Sequence, residues 1–198
     1  MPTLIWFVRH AQAENPHDII YGRLPGFGLS KLGKKQAERL ASFFSRYPIK
    51  VIFSSPQLRC LETAKIISKK LQNVKIVVEN LLAEGEIGWE GKTKAQIIKS
   101  GQYEIYLKKP SLIQGKENFG DIANRAKIVT ERILEEFSGQ QVICVTHQDV
   151  IRSLRLLLTK KPIDLLNALP CEKGSITEFV FNGNKFKKIK YYEINQND

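Results

Sequence analysis

Thr3-Leu-Ile-Trp-Phe-Val8, followed at once by Arg9-His10, is the stretch on which the fold turns. After Thr3 the run is apolar and rich in strand-forming types, and it stops at a basic pair, so it reads as a short buried strand. A loop follows, marked by Asn15-Pro16, Gly22, Pro25, Gly26 and Gly28. Ser30 then offers an N-cap for a helix carrying Leu32, Gln36, Leu40, Phe43, Phe44 and Tyr47, and Pro48 lies just beyond it. Lys50 to Ser55 reads as a second strand, and behind Pro56 a helix places Leu58, Leu61, Ala64, Ile67 and Leu71 on one face. Lys75 to Val78 is a third strand.

Downstream, residues 79–114 read as irregular, with one short helix near Ala95 to Lys99. Asp121 to Phe137 has the pattern of an amphipathic helix, with Ile122, Ala126, Val129, Ile133 and Phe137 on its apolar stripe. Gln141 to Thr146 is a fourth strand, and a helix runs from about Asp149 to Leu158. The C-terminal part reads as a hairpin: Ile176 to Phe181, a turn at Asn182-Gly183, then Phe186 to Tyr192. Strand and helix alternate with long crossovers, which implies an α/β fold of three layers. Its sheet is mixed but mostly parallel, with helices on both faces and an antiparallel hairpin at the C-terminus. The 198 residues suit one domain, 1–198.

Composition narrows the function classes. Apolar residues make up 42% and charged residues 26%, as in an ordinary globular protein. The run from Leu4 to Val8 is too short for a signal peptide or a membrane span, so the expected location is the cytoplasm, with no membrane partner. Cys60, Cys144 and Cys171 are too few and too scattered for a disulfide framework or a zinc site. The net charge of +11 favours anionic ligands, but the lysines are spread in ones and twos along the chain. A solvated lysine-rich surface is therefore preferred to a dedicated nucleic-acid patch. Oligomeric state stays open, a homodimer being one option.

In open α/β sheets, chemistry gathers at the carboxyl ends of the strands. Arg9 and His10 follow the first strand. Ser54 and Ser55 end the second, with Arg59 one turn into the next helix. Glu84 comes shortly after the third strand, and His147 after the fourth. Parallel strands bring these residues to one rim. Two guanidinium groups can hold a phosphoryl group through paired N–H donors. A neutral imidazole can act as a nucleophile, and a second can donate to a phosphoryl oxygen. A carboxylic acid of raised pKa can protonate a leaving alkoxide. No carboxylate cluster of the magnesium-holding kind stands nearby, so neither a metal nor another cofactor is called for. The parts fit phosphoryl transfer.

Four motifs then carry a resemblance. Val8-Arg9-His10-Ala11 resembles the Arg-His-Gly signature of the histidine phosphatase superfamily, which includes cofactor-dependent phosphoglycerate mutases. Ser54 to Ala64, with Arg59 at its centre, is similar to that family's second-arginine motif. Leu82-Ala-Glu84, then Gly88 to Gly91, resembles the segment carrying the proton donor, and Val145-Thr-His147-Gln to Arg152 resembles the second-histidine motif. The resemblance implies that His10 is transiently phosphorylated and that Glu84 protonates the leaving group, then activates water. It implies that Arg9, Arg59 and His147 grip the phosphoryl oxygens. Gln148 would add a backbone N–H, and Asn15 and Arg23 would contact the phosphate or substrate. Ala11 and Ala13 depart from the family pattern, and the spacing after Glu84 is one residue short, so Glu86 stands as a rival acid.

The function expected from these residues is hydrolysis of a small phosphorylated metabolite, a phosphate monoester, through a phosphohistidine on His10. Two alternatives remain: a cofactor-dependent phosphoglycerate mutase, and a non-catalytic phosphate- or RNA-binding member of the fold.

Overall fold

The parallel strands expected from Thr3 onward need crossovers long enough to return over the sheet, and each crossover carries a helix. The computed structural model describes residues 1–194. Strand β1 spans Thr3–Arg9, helix α1 Lys31–Phe44, β2 Ile49–Ser54, α2 Leu58–Lys70 and β3 Ile76–Val78. The short helices α3 (Lys94–Lys99) and α4 (Gln102–Lys108) precede the long helix α5 (Phe119–Glu136). After it come β4 (Gln141–Thr146), α6 (Gln148–Leu158), β5 (Ile176–Asn182) and β6 (Lys185–Tyr192). The six strands form one sheet in the order β3-β2-β4-β1-β5-β6. β1 to β4 pair in parallel, while β5 runs antiparallel to β1 and carries β6 as its hairpin partner.

Side-chain alternation on β1 sorts the two cores. Trp6 and Val8 pack with Leu40 and Phe44 of α1 and Cys60, Ala64 and Ile67 of α2. Ile5 and Phe7 face the opposite way, against Ile122, Ala126 and Val129 of α5 and Val150, Ile151 and Leu154 of α6. The result is three layers with helices on both faces, as read from the sequence. Cys144 is a buried core residue on β4. Among the described residues no helix is long and apolar enough to cross a membrane. Exposed Lys185, Lys187, Lys188 and Lys190 decorate the edge strand β6, where charge discourages pairing with another chain.

Several details differ from the sequence reading. The segment 79–114 is less irregular than expected: α4 lies within it, and so does a 3-10 turn at Pro110–Leu112. α4 has no buried residue, so no apolar stripe announced it. It starts instead at Gly101, whose φ of 75° suits glycine, and an ion pair between Glu104 and Lys108 spans one turn at 2.7 Å. Leu32 and Leu58, counted on the apolar faces, are exposed. α5 begins two residues early because Asn118 and Asp121 form a capping box. The hairpin turn falls on Gly183 and Asn184, since Asn182 still pairs with Lys185.

α1 is locked to the loop that follows β1. Ser30 Oγ accepts from Gly33 N at 3.0 Å, and Ser30 N donates to the carbonyl of Gln12 at 3.0 Å. A Cβ added at Gly33 would meet that same Gln12 carbonyl oxygen at 2.0 Å. In an open helix, alanine would be better than glycine by about 1 kcal/mol. Here G33A is expected to lower stability by about 1–3 kcal/mol, the usual cost of overpacking. Urea unfolding checks the sign: a G33A protein at least as stable as wild type would mean the loop is not pinned at that point.

Candidate active site

β2, β4 and β1 are neighbours and parallel, so their carboxyl ends emerge side by side. The ladder continues just past the strands: His10 N donates to Thr146 O, and Ser55 N donates to Val145 O, both at 2.9 Å. This sets the His10 and His147 rings 5.2 Å apart, centroid to centroid. α2 begins directly behind β2, and Arg59 in its first turn reaches both rings, fully buried. Arg59 Nε donates to His10 Nε2 at 3.2 Å, and Nη2 lies 3.1 Å from His147 Nδ1 and 2.8 Å from the Gly22 carbonyl. The Tyr21 ring lies under the guanidinium, 4.5 Å from its carbon.

Each imidazole has a defined tautomer. His10 Nδ1 faces the carbonyl of Ala11 at 2.8 Å, so Nδ1 carries the proton and Nε2 keeps its lone pair. His147 Nε2 faces Gln57 Oε1 at 3.0 Å and Ser55 Oγ at 2.7 Å. Gln57 Oε1 also accepts from Ser55 Oγ and from Glu84 N, so it acts as a pure acceptor and Nε2 of His147 holds the proton. Burial, then the nearby Arg59 and Arg9, hold His10 well below the usual histidine pKa. Burial, Arg59 and His10 do the same for His147. Both rings are neutral at pH 7.

Glu84 follows a 3-10 turn at Asn80–Leu82, and its backbone is held at both ends: N donates to Gln57, and Arg23 Nε donates to its carbonyl at 2.6 Å. Its Oε2 lies 3.3 Å from His147 Nδ1. Burial and the charge of Asp149 raise its pKa to about 7, against the opposing pull of Arg59. Glu86 behaves in the opposite way. Its hydrogen bond to Lys116 and its pairing with Arg23 hold its carboxyl below the usual range.

Arg9 Nη1 donates to the Cys171 carbonyl at 2.6 Å. Two guanidinium nitrogens, Arg9 Nε and Arg59 Nη1, are buried and find no acceptor among the described residues. Orphaned donors of this kind carry a desolvation cost that an incoming oxyanion would relieve. Beside Arg9 opens a cleft of about 460 Å³, whose wall also includes Tyr21, Gly22, Glu84, Asp149 and Lys173. Among the described residues, no group of three His, Cys, Asp or Glu side chains stands close enough to hold a metal ion.

The structure thus brings together Arg9, His10, Arg59, Glu84 and His147. The other three candidates lie at the margin. Asn15 lines the cleft but spends its amide on closing its own loop to Ile19. Arg23 is bound to Glu84 O, Glu86 and Glu117, so it buttresses Glu84 rather than facing the cleft. Gln148 is the first residue of α6, and its side chain reaches Tyr106 at 3.4 Å. His17 is exposed in the loop. Ser55, Gln57, Tyr21 and Asp149 were not singled out as site residues. Ser55 and Gln57 had a signal, as polar residues between a strand end and the next helix; Tyr21 and Asp149 are set in place only by tertiary packing.

Comparison with known proteins agrees with this geometry. The family described as the histidine phosphatase superfamily (branch 1) matches residues 5–194. A putative phosphoserine phosphatase 2 from Hydrogenobacter thermophilus is 30% identical over 190 residues, covering 91% of each chain. Phosphoserine phosphatase 1 from the same organism is 29% identical over 177 residues, covering 85% of this chain and 82% of its own. Among solved structures, Bacillus stearothermophilus YhfR superimposes with a TM-score of 0.86 at 26% identity, over 93% of this chain and 94% of that one. The chain belongs to the histidine phosphatase superfamily.

Proposed function

We propose that this phosphatase-family protein hydrolyses phosphate monoesters of a small metabolite through a phosphohistidine on His10. The observation that carries the reading is the Nδ1–H bond from His10 to the Ala11 carbonyl, which leaves a neutral Nε2 lone pair beside Arg59. The incoming phosphoryl group takes over the Arg59 contact; Arg9 and Arg59 bind its oxygens, and His147 joins them when its proton shifts from Nε2 to Nδ1, the nitrogen that faces Arg59. Nε2 attacks phosphorus, a P–N bond forms, and the ester P–O bond breaks. Glu84, protonated near neutrality, gives its proton to the leaving alkoxide. The carboxylate so formed accepts a proton from water as that water attacks phosphorus. Phosphate leaves with the electron pair returned to Nε2, and Glu84 is protonated again.

A mutase would instead pass the phosphoryl group to a second phosphorylated acceptor. The Glu84 side chain is 18% exposed on an open cleft, which gives water a route to the phosphoenzyme and favours hydrolysis. The non-catalytic alternative would leave the neutral nucleophile and the raised carboxyl without use.

The first test is p-nitrophenyl phosphate turnover in the presence of chelator, with acid-labile label followed on the protein. Wild type is expected to turn over and to carry label, and H10A to do neither. Turnover that persists in H10A would refute the mechanism.

A second test separates Glu84 from the rest. Nitrophenolate leaves without a proton, whereas an alkoxide needs one. E84Q is expected to lower kcat/KM for an alkyl phosphate by about 10²–10⁴-fold, and for p-nitrophenyl phosphate far less. Equal losses on the two substrates would remove Glu84 from the role of acid.

The pH dependence follows from the same groups. A group that must be protonated supports activity below its pKa, so kcat/KM for alkyl phosphates should fall as pH rises through about 7. His10 must be neutral, so the acid limb should lie well below the ordinary histidine range. A rate–pH profile that rises through pH 7 for alkyl esters would contradict the assignment.

A further inference from the structure

Phosphoryl binding asks His147 to change tautomer, and one side chain resists the change. Gln57 stands between β2 and α2, half-buried, just before the first helical residue, Leu58. Its backbone is extended and its side chain caps nothing in the helix, so the amide reaches across the strand ends instead. Oε1 accepts from Glu84 N at 3.3 Å, from His147 Nε2 at 3.0 Å and from the Ser55 hydroxyl. The ends of β2 and β4 and the segment carrying Glu84 are thereby joined at one oxygen.

Glu84 fixes which way that amide points. A backbone N–H can only donate, so the Gln57 atom facing it is the carbonyl oxygen and not the NH2 group. The same oxygen faces His147 Nε2, which must then carry the ring proton. The other neighbours of Nε2 are less demanding. The Ser55 hydroxyl, at 2.7 Å, can accept or donate and so serves either tautomer. The Cys60 thiol, at 3.5 Å, has the Thr146 carbonyl as an alternative partner. Across the ring, Nδ1 lies 3.1 Å from Arg59 Nη2 and 3.3 Å from Glu84 Oε2. Arg59 only donates, so it favours the same tautomer until an oxyanion takes its N–H groups.

Once that happens, Gln57 is what still holds the proton on Nε2. To bind a phosphoryl oxygen the ring loses a proton from Nε2 and gains one at Nδ1, by exchange with water, and stays neutral. The Ser55 hydroxyl can then turn from Gln57 and donate to the bare Nε2. Gln57 cannot follow while Glu84 N keeps its oxygen in place. On the phosphatase reading above, we infer that Gln57 is a positioning residue with two opposed effects: it places Glu84 for proton transfer, and it weakens the hold of His147 on an oxyanion. The second effect favours release of product phosphate.

The test needs one resting-state spectrum and two variants. The chain has three histidines, His10, His17 and His147, so nitrogen NMR of histidine-labelled protein can read each ring, with H10A and H17A assigning the signals. Phosphate-free wild type is expected to carry the His147 proton on Nε2 and to move it to Nδ1 in saturating inorganic phosphate. Q57L removes one hydrogen bond that opposes the move, so it is expected to bind inorganic phosphate about three- to tenfold more tightly. Its kcat for an alkyl phosphate is expected to fall about tenfold, and for p-nitrophenyl phosphate by no more than about twofold. Arg23 still holds the Glu84 carbonyl in Q57L, so the loss stays smaller than in E84Q. Q57E keeps an accepting oxygen; it is expected to restore the ratio of the two kcat values and to bind phosphate no more tightly than wild type.

Tighter product binding with slower alkyl-ester turnover is a split that simple loss of structure would not give. A wild-type ring with its resting proton on Nδ1, or one whose tautomer phosphate does not move, overturns the inference. So does Q57L of native circular dichroism that binds phosphate more weakly or keeps the wild-type kcat ratio. Should Q57L not fold, the wild-type tautomers and Q57E decide. Absence of p-nitrophenyl phosphate turnover in wild type would instead fail the phosphatase reading and, with it, this inference.

Discussion

The site depends on one buried cation held between two imidazoles. Arg59 is fully buried, with Nε on His10 and Nη2 on His147. Burying a guanidinium away from any carboxylate partner costs several kcal/mol, and the cost is met only in part by the Gly22 carbonyl and the Tyr21 face. The residual electrostatic tension has a chemical use. Burial, and then a fixed positive charge beside each ring, disfavours protonation, so both imidazoles stay neutral and one keeps its lone pair. An oxyanion is the ligand that best satisfies such a site, since it takes up the orphaned N–H groups and offsets the charge at once.

The fold supplies that arrangement with few independent parts. Adjacent parallel strands β2, β4 and β1 fix three strand ends at one edge, and α2 starts where β2 stops, so Arg59 has little freedom of position. The loop after His10 is then tied down twice. Ala11 N donates to Thr63 Oγ1 on α2 at 3.2 Å, and Gln12 N donates to Gln36 on α1 at 2.8 Å. Thr63 in turn donates to the Arg59 carbonyl at 2.7 Å. His10 and the cation beside it are therefore braced by the same helix, and precise placement of both follows from packing of α1 and α2 on one face of the sheet.

This explains what was legible in the sequence. Arg9, His10, Arg59 and His147 sit at strand ends or one turn beyond, and a period-2 or period-3.6 apolar pattern locates those ends. The same patterns gave the layers and the hairpin, because each buried face leaves a periodic trace. α4 left little: none of its residues is fully buried, and only Tyr103 and Tyr106 lean on the core. Asp149 was hidden for a different reason. Its neighbours Tyr106 and Glu84 come from segments far away in sequence, so only tertiary packing makes the carboxylate part of the cleft. Asn15 and Arg23 lay close to the site along the chain, yet their hydrogen bonds are spent on loop closure and on the wall behind Glu84.

That wall separates Glu84 from Glu86 in electrostatic terms, and the separation supports the proposed choice of acid. The two carboxylates are separated by one residue, and no sequence pattern distinguishes their charge states. Glu86 is the outer member of a chain of charges in which Lys116 and Arg23 bind Glu86, Arg23 also binds Glu117, and Glu117 binds Arg125 on α5. Arg125 closes the chain on the Leu81 carbonyl at 2.6 Å. Surrounded by cations, Glu86 holds no proton to give near neutrality. Glu84 faces the other way, half-buried, with a second carboxylate nearby and a neutral imidazole in front of it. The same Arg23 that pairs with Glu86 also holds the Glu84 backbone, so the network that deprives one acid of its proton positions the other to use it.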